Sequence, residues 1–191
     1  MKLQDILIAT RLLLVLSLIC GGLYPLLVTG IAQAAFADKA NGSIVQNGKG
    51  EPVGSSLIAQ RFSGEGYFWA RPSAGDFGTV PSGASNKGPT SADLKKAVDD
   101  RRAALKATAN LAKTEIPAEL LFASGSGLDP HIGKAAALFQ VERIARVRKM
   151  DAAKRAALAA LVERQTESPQ WGFLGDERVN VLLLNLALDK L

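Results

Sequence analysis

From residue 12 to residue 37 the chain carries no charged side chain: "LLLVLSLICGGLYPLLVTGIAQAAFA". A bilayer core is crossed by about 20 apolar residues in a helix, and residues 12–31 supply that length. Backbone groups in lipid must bond within their own segment, so this run is predicted to be helical. Gly21, Gly22 and Pro25 would weaken a helix in water but are tolerated in a membrane span. The competing reading is a cleaved export signal, because Ala32-Gln33-Ala34 and Ala35-Phe36-Ala37 both fit the small-x-small cleavage pattern. A signal core runs to about 7–15 apolar residues, and this one is longer, so a retained single span is expected. That divides the chain into residues 1–37, a short N-terminus plus span, and residues 38–191. Lys2 and Arg11 precede the span, while Lys39 and Lys49 follow it. The positive-inside rule therefore gives only a slight bias toward a cytoplasmic N-terminus. A compact basic N-terminus ahead of a signal-like run places the remaining domain outside the cytoplasm.

Charge and cysteine content narrow the chemistry. The net charge is +5 and the pI is near 9.5, but the basic residues are interspersed with acids. An exported domain does not meet nucleic acid, so a solvated surface is the better reading and no nucleic-acid partner is expected. Cys20, the single cysteine, lies inside the apolar run. It excludes an intrachain disulfide and a cysteine zinc cluster, and reads as a small apolar residue.

The rest of the chain reads as a mixed α+β domain. Asn41-Gly42 and Asn47-Gly48 mark turns, and "SIVQ" between them is predicted to pair as a hairpin with "SSLIAQRF". "YFWARP" reads as an aromatic-rich strand stopped by Pro72. "SAGDFGTVPSGASNKGPT" is a long polar loop of the kind often kept for function. Thr90-Ser91-Ala92-Asp93 resembles a capping box, and Leu94, Ala97, Val98, Leu105, Leu111 and Ala112 recur at helical spacing until Pro117. "AELLFAS" suits a short strand or a helical turn. A helix from Pro130 or Lys134 would carry Ala137, Val141, Ile144 and Ala145 on one face. Asp151 can cap the next, with Leu158, Leu161 and Val162 apolar. "RVNVLLL" begins as a strand whose apolar run suggests burial on both faces, with a terminal helical turn from Asn185.

"ASGSGLDPHI", residues 123–132, holds the only histidine. A Ser-His-Asp triad would need Ser124 or Ser126, His131 and Asp129 to meet in space, and the Gly-x-Ser-x-Gly spacing of a nucleophile elbow is missing. The glycines could cradle an anion ahead of a helix, but no Gly-x-x-x-x-Gly-Lys-Ser/Thr occurs. The preferred reading is a structural corner, with Asp129 as N-cap and Pro130 at the first helical position. In residues 71–90, Arg71 could pair with a carboxylate or phosphate, and Asn86 could face a cation. One Asp there is too few for a calcium site. Tyr67 and Trp69 read as core, or as anchors of an interface.

Together, "GSSLIAQRF…YFWARPSA…SGASNKGPT", "ASGSGLDPHIGKAAALFQVERIARVR", "LVERQTESP" and "LGDERVNVLLLNLALDKL" resemble the C subunit of the Kdp-type potassium-transporting ATPase. The resemblance covers almost the whole chain, including the span with Tyr24-Pro25. It departs mildly at Lys87, at Phe77 where Tyr is expected, and at Gly133 where Ser is commoner. It implies an accessory subunit of a bacterial plasma-membrane complex, N-terminus inside and main domain outside. The implied partners are a potassium-channel-like subunit, a P-type ATPase subunit and a small fourth subunit. The family is described as a catalytic chaperone that raises the ATP affinity of the ATPase subunit. A structural or ion-entry role fits an external domain better, and no bound cofactor is expected. ATP would be met only through the ATPase subunit. If a nucleotide is contacted, Gln140 is the first candidate and Ser126 the second. Gln140 shares a helix face with Ala137 and Ile144, where its amide needs a partner, and a neighbouring backbone group is the preferred one. The rival function is a membrane-anchored periplasmic serine hydrolase using Ser126 and His131. No metal site and no catalytic residue are otherwise expected.

Overall fold

The computed structural model describes residues 2–109 and 115–191. Two units separate, one ending at Ile44 and the other spanning Val45–Leu191. In the first, α1 (Leu3–Leu18), a π-helical turn (Ile19–Leu23) and α2 (Tyr24–Ala35) form one continuous helix. Pro25 has no N–H, and its ring crowds the carbonyl four residues back. The wide turn just ahead of it absorbs that mismatch, with the Tyr24 N–H reaching back five residues to the Ile19 carbonyl. Gly21 and Gly22 lie within this turn. The helix from Leu3 to Ala35 has 33 residues, roughly 50 Å at 1.5 Å per residue, against about 30 Å of hydrocarbon. It is the one helix among the described residues long and apolar enough to cross a membrane. Its apolar side chains face outward, Leu13 and Leu14 being 65% and 63% exposed. A short α3 (Ala37–Ala40) follows.

Next along the chain, β1 (Ile44–Gln46) pairs with β2 (Pro52–Ser55) around the Asn47 turn. Asn47 holds this turn by accepting from the Lys49 and Glu51 N–H groups at 2.9 and 3.0 Å. The partner strand is therefore earlier than expected: a turn around Asn47 leaves Pro52–Ser55, not "SSLIAQRF", in register. A long irregular stretch leads to α4 (Ala92–Ala109), where the Ser91 hydroxyl accepts from the Leu94 N–H at 3.3 Å. Leu111 and Ala112, expected on this helix, lie outside the described residues. "AELLFAS" forms a 3-10 turn at Ala118–Leu120. Then come β3 (His131–Gly133), α5 (Lys134–Val147), α6 (Ala152–Gln165), β4 (Thr166–Glu167), β5 (Arg178–Asn180) and α7 (Val181–Leu188). β5 is the middle strand of an antiparallel sheet ordered β3-β5-β4, with His131 opposite Asn180 and Thr166 opposite Val179.

The fold is thus the expected mixture of helices and short strands behind an apolar N-terminal helix. Asp151 caps α6 as predicted, accepting from the Lys154 N–H at 2.7 Å. The helical stripes meet in one core: Ala137, Val141 and Ile144 of α5, Leu158, Leu161 and Val162 of α6, Val98 and Leu105 of α4, and Phe68. Two predicted strands differ. "RVNVLLL" stays in the sheet only for three residues, because Asn180 turns its side chain onto the Leu183 N–H at 3.2 Å and starts a helix. Leucine propagates that helix readily. "YFWARP" joins no sheet, for a reason found in its backbone partners.

Candidate functional site

The two polar loops that the sequence presents separately are packed together. The Arg71 guanidinium reaches Asp129 Oδ2 at 3.1 Å, and the Ser124 N–H donates to the Pro72 carbonyl at 3.0 Å. Gly127 sits at φ +71°. A Cβ there would come 2.8 Å from the Gly83 carbonyl oxygen, so only glycine lets the loops approach this closely. The corner is also tied to its surroundings. The Leu128 carbonyl accepts from the Ala59 N–H and the Pro130 carbonyl from the Val181 N–H, each at 2.9 Å.

Asp129 does not cap α5, contrary to expectation. Pro130 leads into β3, and the helix starts only at Lys134, behind a strand that must first pair with β5. Asp129 Oδ1 instead accepts from the His131 N–H at 3.0 Å, an Asx turn that shapes the corner. The capping position belongs to Gly133, whose N–H donates to Glu119 Oε2 at 2.8 Å. Arg71 depends on Asp129, since its Nε is buried with no partner among the described residues. Asp129→Ala is expected to cost about 1–3 kcal/mol, through the lost turn bond and the unpaired guanidinium. The urea midpoint of residues 45–191 checks this, and an unchanged midpoint would mean that the corner holds without its carboxylate.

Ser126 is exposed, and its Oγ accepts from the Leu128 N–H at 3.1 Å. His131 Nδ1 stands 3.8 Å from Asp129 Oδ1. Among the described residues no hydrogen bond links Ser126 to His131, so the arrangement presents an ion-paired turn rather than a nucleophile joined to its base. Nor is there, among them, a group of three or more His, Cys, Asp or Glu side chains able to hold a metal. Arg71, Glu119, Asp129, His131, Asp176 and Arg178 border one open cleft of mixed charge.

The long loop is pinned at several points. Ser73 Oγ accepts from the Phe77 N–H at 2.9 Å, and Arg61 pairs with Asp76 while its guanidinium carbon lies 5.9 Å from the Phe77 ring centre. Lys87 Nζ donates to Asp93 Oδ2 at 2.9 Å, and this hydrogen bond holds the Asp93 carboxyl below its ordinary value. Arg71 and Lys87 each already have a carboxylate partner within the chain.

Gln140 is 1% exposed. Its Oε1 accepts from the Trp69 N–H at 2.8 Å, and its Nε2 donates to the Trp69 carbonyl at 3.1 Å. Asn185, on α7, does the same to Phe68, at 2.8 and 3.0 Å. Two consecutive residues of "YFWARP" thus have their main-chain groups met by side-chain amides, which is why the segment needs no neighbouring strand. Arg143 completes the clamp. It donates to the Tyr67 carbonyl at 2.9 Å, to Gln140 Oε1 at 2.7 Å and to the Glu65 carbonyl, and its guanidinium carbon stacks 3.7 Å from the Trp69 ring centre. Burial lowers its pKa from the ordinary guanidinium range to about 10, leaving it charged near neutrality. Arg148 adds a bond to the Gly66 carbonyl at 2.8 Å. Neither Arg143 nor Asn185 is among the site residues expected from the sequence. Their signal was available: each is a polar residue within an apolar helical stripe, where burial demands a partner.

Comparison with known proteins gives a consistent result. A family described as "KdpC: K+-transporting ATPase, c chain" matches residues 6–190. The Potassium-transporting ATPase KdpC subunit of Geobacter sulfurreducens is 50% identical over 186 residues, covering 96% of each chain. That of Geobacter metallireducens is also 50% identical, covering 98% of each chain. The Leptospira interrogans protein of the same name is 47% identical, covering 95% of this chain and 92% of its own.

Proposed function

The chain belongs to the KdpC family, the c chain of K+-transporting ATPases, and from that membership we propose that it works without catalysing a reaction itself. It is an accessory subunit of an ATP-driven potassium importer. Helix Leu3–Ala35 tethers it in the bacterial plasma membrane, its N-terminus is cytoplasmic, and residues 38–191 form the extracytoplasmic domain. That domain docks onto the potassium-channel-like subunit, stabilises the assembly with the ATPase subunit and the small fourth subunit, and assists potassium entry. The observation that carries this reading is the near full-length match to potassium-transporting ATPase subunits.

The docking surface is the loop from Arg71 to Thr90. It is irregular, largely exposed and pinned at Asp76, Lys87 and Gly127. Such pinning lets a loop meet a partner with little ordering cost. Because Arg71 and Lys87 are neutralised internally, the loop's main chain and small polar residues make the contact, with the two cations as local struts. A direct nucleotide contact through Gln140 would require release of Trp69, since both polar atoms of the amide are engaged there. Help with ATP use is accordingly transmitted through assembly. Ser126, exposed on the corner beside this loop, faces the same docking surface rather than a nucleotide.

Deleting residues 75–87 in the full chain is the test. Co-purification with the other subunits and ATP-driven potassium uptake are expected to fall to a small fraction of the wild-type level, while the core keeps its near-UV circular dichroism. Full assembly and full uptake after the deletion would refute the loop's role. Turnover of an ester substrate, abolished by His131→Ala, would favour the hydrolase instead.

A further inference from the structure

Between β4 and β5, residues 168–175, "SPQWGFLG", hold three large apolar side chains in solvent. Trp171 is 84% exposed, Phe173 72% and Leu174 45%. The turn that carries them is closed. Gln170 and Leu174 exchange both main-chain hydrogen bonds at 2.9 Å, and the Gly172 and Phe173 N–H groups donate to Pro169 and Gln170 at 3.0 and 3.2 Å. Trp171 lies at φ +53° and Gly172 at φ +83°. A left-handed conformation is disfavoured for a bulky L-residue, and an indole left in water recovers none of that cost by burial. None of these three side chains belongs to the core cluster. The fold of this chain therefore does not account for the tip, and strain of this kind points toward function.

Charge narrows the partner. Asp176 and Glu177, both exposed, follow directly, whereas the next cation, Arg178, is neutralised by Glu167 at 3.0 Å. We propose that the tip of Trp171, Phe173 and Leu174 is a protein-docking element that enters an apolar, basic-rimmed pocket on another chain of the transporter. This rests on the docking reading above and adds a second contact to it. Asp176, Arg178 and Arg71 border the same cleft, so the base of the tip and the start of the Arg71–Thr90 loop share one face of the domain. A hydrogen-bonded turn presenting Trp and Phe has the composition of an interface hot spot, and its closed main chain lowers the ordering cost of binding. A lipid surface is disfavoured, because two carboxylates at the base would be repelled by anionic headgroups.

The test uses the full chain co-expressed with the other transporter subunits and captured through one of them. The variant Trp171→Ser with Phe173→Ser is expected to be captured about thirtyfold or more weakly, the scale of losing a hot-spot side chain. Its unfolding midpoint in detergent should stay at the wild-type value, because both side chains are exposed. Trp171→Phe with Phe173→Tyr should retain capture, and Asp176→Lys with Glu177→Lys should weaken it most at low salt. Capture of the double-serine variant at the wild-type level would overturn the proposal. So would quenching of Trp171 fluorescence, measured against Trp171→Ser, when the full chain alone is reconstituted in brominated phosphatidylcholine and phosphatidylglycerol vesicles. If the wild-type chain itself is not captured, the docking function falls and this contact with it. If only the deletion of residues 75–87 abolishes capture, this contact alone is refuted.

Discussion

Arg143→Met is expected to lower the stability of residues 45–191 by about 2–4 kcal/mol, the net of several lost charge-assisted bonds and a recovered desolvation penalty. Arg143 is 2% exposed and supplies the Glu65 and Tyr67 carbonyls as well as Gln140 Oε1. Methionine fills most of the space but can donate to none of them, so main-chain acceptors are left unpaired inside the fold. Burial works the other way. It opposes the charge, as the lowered pKa of about 10 records, so removing the charge returns part of the loss. The lost bonds prevail because methionine leaves three acceptors, two of them main-chain carbonyls, without the donor that holds them. A urea midpoint that falls with an unchanged slope is the expected result. An unchanged midpoint would mean that Arg143 does not hold the 65–69 segment. Gln140→Ala should be destabilising on a similar scale, because it strips both polar partners from Trp69. The two losses should not add, since Arg143 Nη2 donates to Gln140 Oε1 at 2.7 Å. An ATP titration of the same variants separates the roles: wild-type ATP binding that disappears in a folded Gln140→Ala chain would restore the nucleotide-contact reading.

Removal of residues 3–35 is expected to transfer the chain from the membrane fraction to the aqueous fraction and to abolish potassium uptake. The helix exposes leucines along its whole length within the chain, and lipid is the solvent that suits such a surface. Among the described residues, the buried core cluster of the remaining unit runs from Phe68 to Leu188, with Phe62 and Tyr67 packed against it, so its unfolding midpoint should be unaffected. A graded version uses Leu16→Arg, which penalises insertion by about 2.5–3.5 kcal/mol at a helix centre. N-terminal peptides recovered from membrane-derived protein decide between a retained span and a cleaved signal. A mature chain beginning near Asp38 would overturn retention.

Much of this molecule could be read one residue at a time. The apolar run from Leu12 onward demands a helix, because lipid leaves its main chain no other partners. Ser91 and Asp151 start helices through their own hydroxyl and carboxylate, and the stripes Ala137-Val141-Ile144 and Leu158-Leu161-Val162 repeat with the helical period. In each case cause and effect lie within a turn or two of one another. Other features escaped that logic. "YFWARP" has the composition of a strand, yet the groups that satisfy Phe68 and Trp69 belong to Asn185 and Gln140, 117 and 71 residues away. Asp129 has the look of a helix cap, but its preferred partner is Arg71, 58 residues back, and a strand intervenes before the helix. Gly127 is required by the Gly83 carbonyl of another loop. The periodicities of α4, α5 and α6, and the caps at Ser91 and Asp151, were determined by sequence alone because short-range hydrogen bonding and side-chain spacing suffice for them. Which polar side chains become internal partners of a distant main chain was decided only by the tertiary structure, since burial creates that demand and only the assembled core brings the donors within reach.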